Sequence, residues 1–149
     1  MRLKVIVLVL LISLSLSVFS WGETKSKPAK QPAAKEKVVT LDSGLKYIDL
    51  IVGKGKVAKK GNSVEVHYVG RLTDGSIFDS SRKHGKTFMF ELGNRDVIQG
   101  WDIGVAGMKE GGKRKLIIPP ALGYVAQGSP PVIPPNATLE FEIDLIKVR

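Results

Sequence analysis

The stretch Leu139-Glu140-Phe141-Glu142-Ile143-Asp144-Leu145 (LEFEIDL) alternates apolar and acidic residues without a break. A period of two puts all four apolar side chains on one face of a strand and all three acids on the other. These residues therefore predict a strand with one face on a core and the other in water. Working outward, Val64, Val66 and Tyr68 alternate with Glu65 and His67 in the same way. Lys86 to Leu92 (KTFMFEL) places Phe88 and Phe90 on one face and Met89 on the other. Leu45 to Val52 and Arg114 to Ile118 complete the predicted strands. Val97, Ile98, Trp101, Val105 and Met108 recur at three and four, which predicts one short helix with a single apolar face. Gly100, Gly104 and Gly107 weaken that helix, so tertiary packing must hold it. The expected class is α+β: a four- to five-stranded antiparallel sheet with one short helix against it.

Residues 119–135 (PPALGYVAQGSPPVIPP) interrupt this pattern with six of the eight prolines. Proline donates no ladder hydrogen bond, so the segment cannot be a central strand. A stiffened loop of this length is usually functional or disordered. Tyr124, Val132 and Ile133 are spaced through it, which predicts a loop folded back onto something apolar.

The folded domain is expected over 38–149. Residues 21–37 (WGETKSKPAKQPAAKEK) have nothing to bury and read as a disordered Lys/Ala/Pro-rich linker. Residues 1–20 have the three parts of a secretory signal peptide: a basic head (Arg2, Lys4), an apolar run from Val5 to Phe19, and a small residue, Ser20, before a cut near 20–22. The run is shorter than the roughly 18 or more apolar residues of a membrane span. The expected location is therefore exported, periplasmic or secreted, with no stable membrane span after cleavage. The alternative is an uncleaved N-terminal anchor with the domain outside the membrane.

There is no Cys, which excludes disulfides, thiolate nucleophiles and Cys-based zinc sites. The net charge of +9 is unevenly placed: +2 falls in residues 1–22, +3 in 23–37 and only +4 in 38–149. So modest a bias in the domain weighs against nucleic acid as a partner. Gly53-Lys54-Gly55-Lys56-Val57-Ala58 imitates a dinucleotide fingerprint, but a turn and a strand follow where the phosphate-binding helix should start. His67 and His84 lack metal-ligand spacing, and no serine has the setting of a hydrolytic nucleophile. No cofactor or metal is expected. Lys113-Arg114-Lys115 reads as a solvated turn entering a strand, and the sequon Asn136-Ala137-Thr138 as chance.

Tyr68, Phe78, Phe88, Phe90, Val97, Ile98, Trp101, Tyr124, Ile133 and Phe141 would by themselves read as a core. Two features point further. Asp79 follows Phe78 directly, and an ionised carboxylate is almost never buried without a partner. Trp101 and Tyr124 sit on a glycine-broken helix and a proline-rich loop, which suit the floor and wall of a pocket.

Four ordered blocks carry a resemblance: His67-Tyr68-Val69-Gly70, Asp74 to Ser81 (DGSIFDSS), Val97-Ile98-Gln99-Gly100-Trp101, and Val132 to Leu139 (VIPPNATL). Together they resemble FKBP-type peptidyl-prolyl isomerases over about 110 residues, Val38 to Arg149. The resemblance implies an antiparallel half-barrel sheet wrapped around the short helix. It also implies a pocket for an X-Pro bond lined by Tyr68, Phe78, Phe88, Val97, Ile98, Trp101, Tyr124, Ile133 and Phe141. Trp101 would be the floor, the Ile98 N–H and Tyr124 hydroxyl would hold ligand carbonyls, and Asp79 would stand beside Tyr68. Asp79, Tyr124, Phe78 and Phe141 are the expected catalytic residues, with His84 at the substrate edge. Partners implied are X-Pro segments of unfolded or partly folded polypeptides and macrolides of the tacrolimus and rapamycin type; a monomer is expected. A non-catalytic binding module or chaperone with the same pocket is the other reading. Three positions depart from the family pattern: His84 stands where an Arg often pairs with the carboxylate, Val125 replaces a common Gly, and Asp96 replaces a commoner Glu.

Overall fold

The computed structural model describes residues 37–149. The expected signal peptide and all but the last residue of the expected linker lie outside the described residues. The strands are β1 (Val38–Thr40), β2 (Lys46–Ile51), β3 (Ser63–Leu72), β4 (Ile77–Ser80), β5 (Phe88–Glu91), β6 (Lys113–Ile118) and β7 (Leu139–Val148), with one helix, α1 (Gln99–Val105). All pairs are antiparallel. The order is β1-β2-β6-β7-β3-β4, and β5 also pairs with β3. The sheet thus has seven strands rather than four or five. The two extra ones, β1 and β4, are three and four residues long. They are too short to show a period, and only pairing to a longer neighbour makes them strands.

The alternation in LEFEIDL is realised. Leu139, Phe141, Ile143 and Leu145 are buried in one core with Val64, Val66, Leu116, Ile118 and Trp101. The strand β7 lies between β6 and β3 and pairs with both along most of its length.

The helix reaches the sheet through its glycines. A Cβ on Gly100 would stand 2.5 Å from Ile118, and one on Gly104 would stand 2.6 Å from Leu116. Residues four apart share a helix face, so both glycines present bare backbone to β6. Intrinsic propensity is given up for a close approach that no side chain permits.

Arg114 corrects the reading of Lys113-Arg114-Lys115 as a solvated turn. All three residues belong to β6, and Arg114 points inward, only 7% exposed. Its guanidinium binds both carboxylate oxygens of Asp49 (2.6 and 3.1 Å) and donates to the carbonyl of Gly104 at 2.9 Å. It also lies 4.1 Å from the Tyr47 ring centre. A buried arginine thus satisfies a carbonyl at the end of α1 that the helix leaves without a partner. Lys113 and Lys115 face out and pair with Asp144 and Glu140.

No helix starts at Gly53 or Gly55. The Gly55 N–H donates to the carbonyl of Glu110, and that of Ala58 to Met108, so the segment is a strand connection laid against the turn that precedes β6.

We expect Gly100→Ala to destabilise the domain by about 1–2 kcal/mol, despite alanine's better helix propensity, because overpacking against Ile118 outweighs it. Chemical denaturation of the two proteins measures this. Equal or greater stability of the variant would contradict the close-approach explanation.

Candidate functional site

Strands β4 and β5 pair with the same edge of β3 but leave a gap between them. Val66 faces Phe88 of β5, and Val69 faces Ser80 of β4. In the gap Ser81, which is fully buried, takes a strand's place. Its hydroxyl accepts the Tyr68 N–H at 3.0 Å, reaches the Tyr68 carbonyl at 3.3 Å and lies 2.9 Å from His67 Nδ1. The chain then turns through a short 3-10 segment, Ser81–His84, where the Arg82 N–H donates to the Ser80 side chain at 3.2 Å. This detour brings the side chains of Tyr68, Asp79 and His84 together and opens a cleft beside them.

The cleft has a volume of about 270 Å³ and is lined by Tyr68, Phe78, Asp79, Phe88, Asp96, Val97, Ile98, Trp101, Tyr124 and Phe141. Trp101, 4% exposed, is its floor. The rings of Tyr68, Phe88 and Phe141 meet it edge-on with centroids at 5.0, 6.0 and 5.1 Å. Phe78 meets Phe141 at 90° and 5.4 Å. Such edge-to-face pairs fix ring orientation as well as burying area. Gly70 is the residue that lets the last pair form, because a Cβ there would lie 2.7 Å from Phe78 and 2.8 Å from Phe141. The indole Nε1 of Trp101 is buried with no hydrogen-bond partner among the described residues.

The charged and hydroxyl groups stand at the rim. The Tyr68 hydroxyl donates to Asp79 Oδ2 at 2.6 Å, and the Ser80 N–H donates to Oδ1 at 2.8 Å. His84 Nε2 lies 3.0 Å from the same Oδ1. Partial burial pushes the Asp79 carboxyl up, but the hydrogen bonds from Tyr68, His84 and Ser80 outweigh it and hold the group below its ordinary range. Burial, then the bond to Asp79 and its charge, push the Tyr68 phenol up, so it stays a donor. His84 is thus the basic side chain that stands against Asp79 at the rim. The Tyr124 hydroxyl and the Ile98 N–H make no hydrogen bond within the described residues, and both residues line the cleft.

Eight of the nine residues expected to line the pocket are there. The exception is Ile133, which is 5% exposed and turns from the proline-rich loop into the core rather than to the cleft surface. Val132, expected to fold inward with it, points out. Asp96 was absent from the expected site, although it stands next to Val97. It lines the cleft while its carboxylate accepts from the Glu91 N–H and the Asn94 side chain. Ser81 and Gly70 were also missed as site-builders, since their work depends on a gap and a ring packing that only pairing creates. Val125 takes the left-handed conformation (φ 53°) that a glycine would adopt freely, a costly choice for a β-branched residue. The loop keeps this shape without the glycine.

An aromatic floor, a wall of rings and two free polar groups at the mouth suit a small apolar ring flanked by carbonyls. A family model described as FKBP-type peptidyl-prolyl cis-trans isomerase matches residues 54–146, more than half of the chain. The "FK506-binding protein 1" of Dictyostelium discoideum is 56% identical over 97 residues, which are 65% of this chain and 91% of that protein. The "FK506-binding protein 4" of the same organism is 55% identical over 117 residues, 78% of this chain but 31% of that protein. This chain thus spans under a third of that longer relative. The crystal structure of AtFKBP13 superposes with a TM-score of 0.72 at 40% identity, covering 76% of this chain and 99% of that one. The chain belongs to the FKBP-type peptidyl-prolyl cis-trans isomerase family.

The Asp79 contacts carry a pH prediction. A carboxyl whose folded-state value is lowered contributes stability that is complete above its ordinary value, about 3.9, and lost as pH falls towards the lowered one. We expect Asp79→Asn to flatten the fall in stability below about pH 4. Thermal unfolding of both proteins between pH 2 and 6 tests it, and an equally steep acid limb in the variant would refute it.

Proposed function

We propose that the chain is a peptidyl-prolyl cis-trans isomerase that accelerates X-Pro rotation in exported polypeptides and so assists their folding. The observation that carries this reading is the aromatic cleft over Trp101, with Asp79 and its hydrogen-bond partners at the rim. Rotation about a peptide bond meets a barrier of about 18–20 kcal/mol, set by amide resonance. The planar amide is the more dipolar form, and twisting reduces its charge separation. An apolar surround therefore favours the twisted state over the planar one, which is differential binding of the transition state. Each preference of about 1.4 kcal/mol gives a tenfold gain in rate.

The residues divide the work. Trp101, Phe141, Phe78 and Phe88 enclose the proline ring and exclude water. The Tyr124 hydroxyl and the Ile98 N–H, both without internal partners, fix the flanking carbonyls. Asp79, held ionised by Tyr68, Ser80 and His84, places a fixed negative charge at the wall. No bond is made or broken, so the chemistry asks for no nucleophile. Macrolides of the FK506 type would compete for the same cleft, in keeping with the names of the relatives. Export rests on the basic head and apolar run of residues 1–20.

Magnetisation-exchange NMR on a short X-Pro peptide tests the activity. We expect fast exchange with the purified protein, and a loss of about tenfold or more in folded Asp79→Leu and Phe141→Ala variants. Binding without exchange would leave a non-catalytic peptide module. Unchanged turnover in both variants would remove the site assignment. Mass spectrometry of the mature N-terminus tests the leader: a start near residue 21 is expected, and an intact Met1 on protein in the cytoplasmic fraction would refute export.

A further inference from the structure

A second cleft, about 440 Å³, adjoins the first. It is lined by Lys60, Gly93, Arg95, Val97, Gln99, Asp102 and Ile103, and Val97 is common to both. Its apolar part is Val97 and Ile103, each half-buried. Its charged groups are unequally engaged. Asp102 spends both carboxylate oxygens on backbone: Oδ1 accepts the Gly93 N–H at 2.8 Å and Oδ2 the Arg95 N–H at 3.2 Å. These bonds fasten the loop before α1 in a conformation with Gly93 and Arg95 both at positive φ, 83° and 63°. The nearby Asp96 is held by the Glu91 N–H and the Asn94 side chain. Lys60 lays its methylenes across Gly93, where a Cβ would stand 2.6 Å from Lys60 Cγ. Neither Lys60 nor Arg95 is among the ion pairs of the described residues. The cleft therefore presents two cations outside any ion pair of the described residues beside an apolar patch, against the single charge of Asp102, whose oxygens are turned to backbone N–H groups.

We propose that this cleft is a specificity subsite that receives an acidic side chain of the client polypeptide, a few residues from the proline. The inference rests on the isomerase reading, because continuity with the proline pocket across Val97 is what brings the client there. Consecutive Cα atoms lie about 3.8 Å apart, so a chain seated over Trp101 reaches past Val97 within one to three residues. The carboxylate of a Glu or Asp would meet Lys60 and Arg95, while its methylenes would cover Val97 and Ile103. Half-exposed ion pairs are individually weak and sensitive to salt, which suits transient binding of many clients.

The test uses peptides with one fixed X-Pro pair and Glu, Gln or Lys at each of the three positions on either side of it. Dissociation constants and exchange rates are measured at low and high salt. At one of these positions Glu should bind about three- to tenfold tighter than Gln, the gain appearing in KM and fading at high salt. The double variant Lys60→Glu, Arg95→Glu should reverse the order and favour Lys. No Glu preference at any position, or one that survives the double charge reversal, would overturn the subsite. The isomerase reading fails separately: absent exchange on the Gln peptides would remove it, while the ratio of Glu to Gln dissociation constants would still decide whether the cleft takes an acid.

Discussion

The bare-backbone contact of α1 with β6 is the constraint on which the cleft depends. Gly100 and Gly104 let the helix lie where any Cβ would collide with Ile118 and Leu116. That depth sets the height of Trp101, and Trp101 is the surface against which Tyr68, Phe88 and Phe141 are arranged. A helix seated farther out would carry the indole into the space that the cleft now occupies. Arg114 holds the other end of the same helix, binding the Gly104 carbonyl while Asp49 balances its charge. A short, glycine-rich helix with poor intrinsic propensity is thus made rigid by the sheet, and the floor of the site inherits that rigidity.

The wall opposite is built by an interruption. Because β4 and β5 share one edge of β3 without meeting, the edge needs a substitute partner at Tyr68, and the Ser81 hydroxyl supplies it. The same detour exposes a ring of polar side chains to the mouth of an otherwise apolar cleft. Asp79 is the centre of that ring. Desolvation alone would favour its neutral form, and three hydrogen bonds reverse this. The site therefore combines an aromatic interior with a charged carboxylate at its edge.

The sequence by itself determined the strand faces, the helix and the identity of most of the cleft. Period-two alternation in 139–145 is a local property, and so is the three-four spacing from Val97 to Met108; either survives whatever the chain packs against. The family resemblance, carried by four ordered blocks, named eight of the cleft's lining residues. What only the tertiary structure decided were matters of pairing. The strands β1 and β4 exist because a longer neighbour pairs with them. Arg114 is buried because Asp49 and the end of α1 meet at its position, although its neighbours Lys113 and Lys115 make it look like part of a solvated run. Ile133 and Tyr124 sit on one proline-rich loop, yet Ile133 enters the core and Tyr124, 40% exposed, faces the cleft. Composition assigns both to an apolar contact. Which of the two touches a ligand depends on how the loop is folded back over the sheet, and that is a long-range constraint no local pattern encodes.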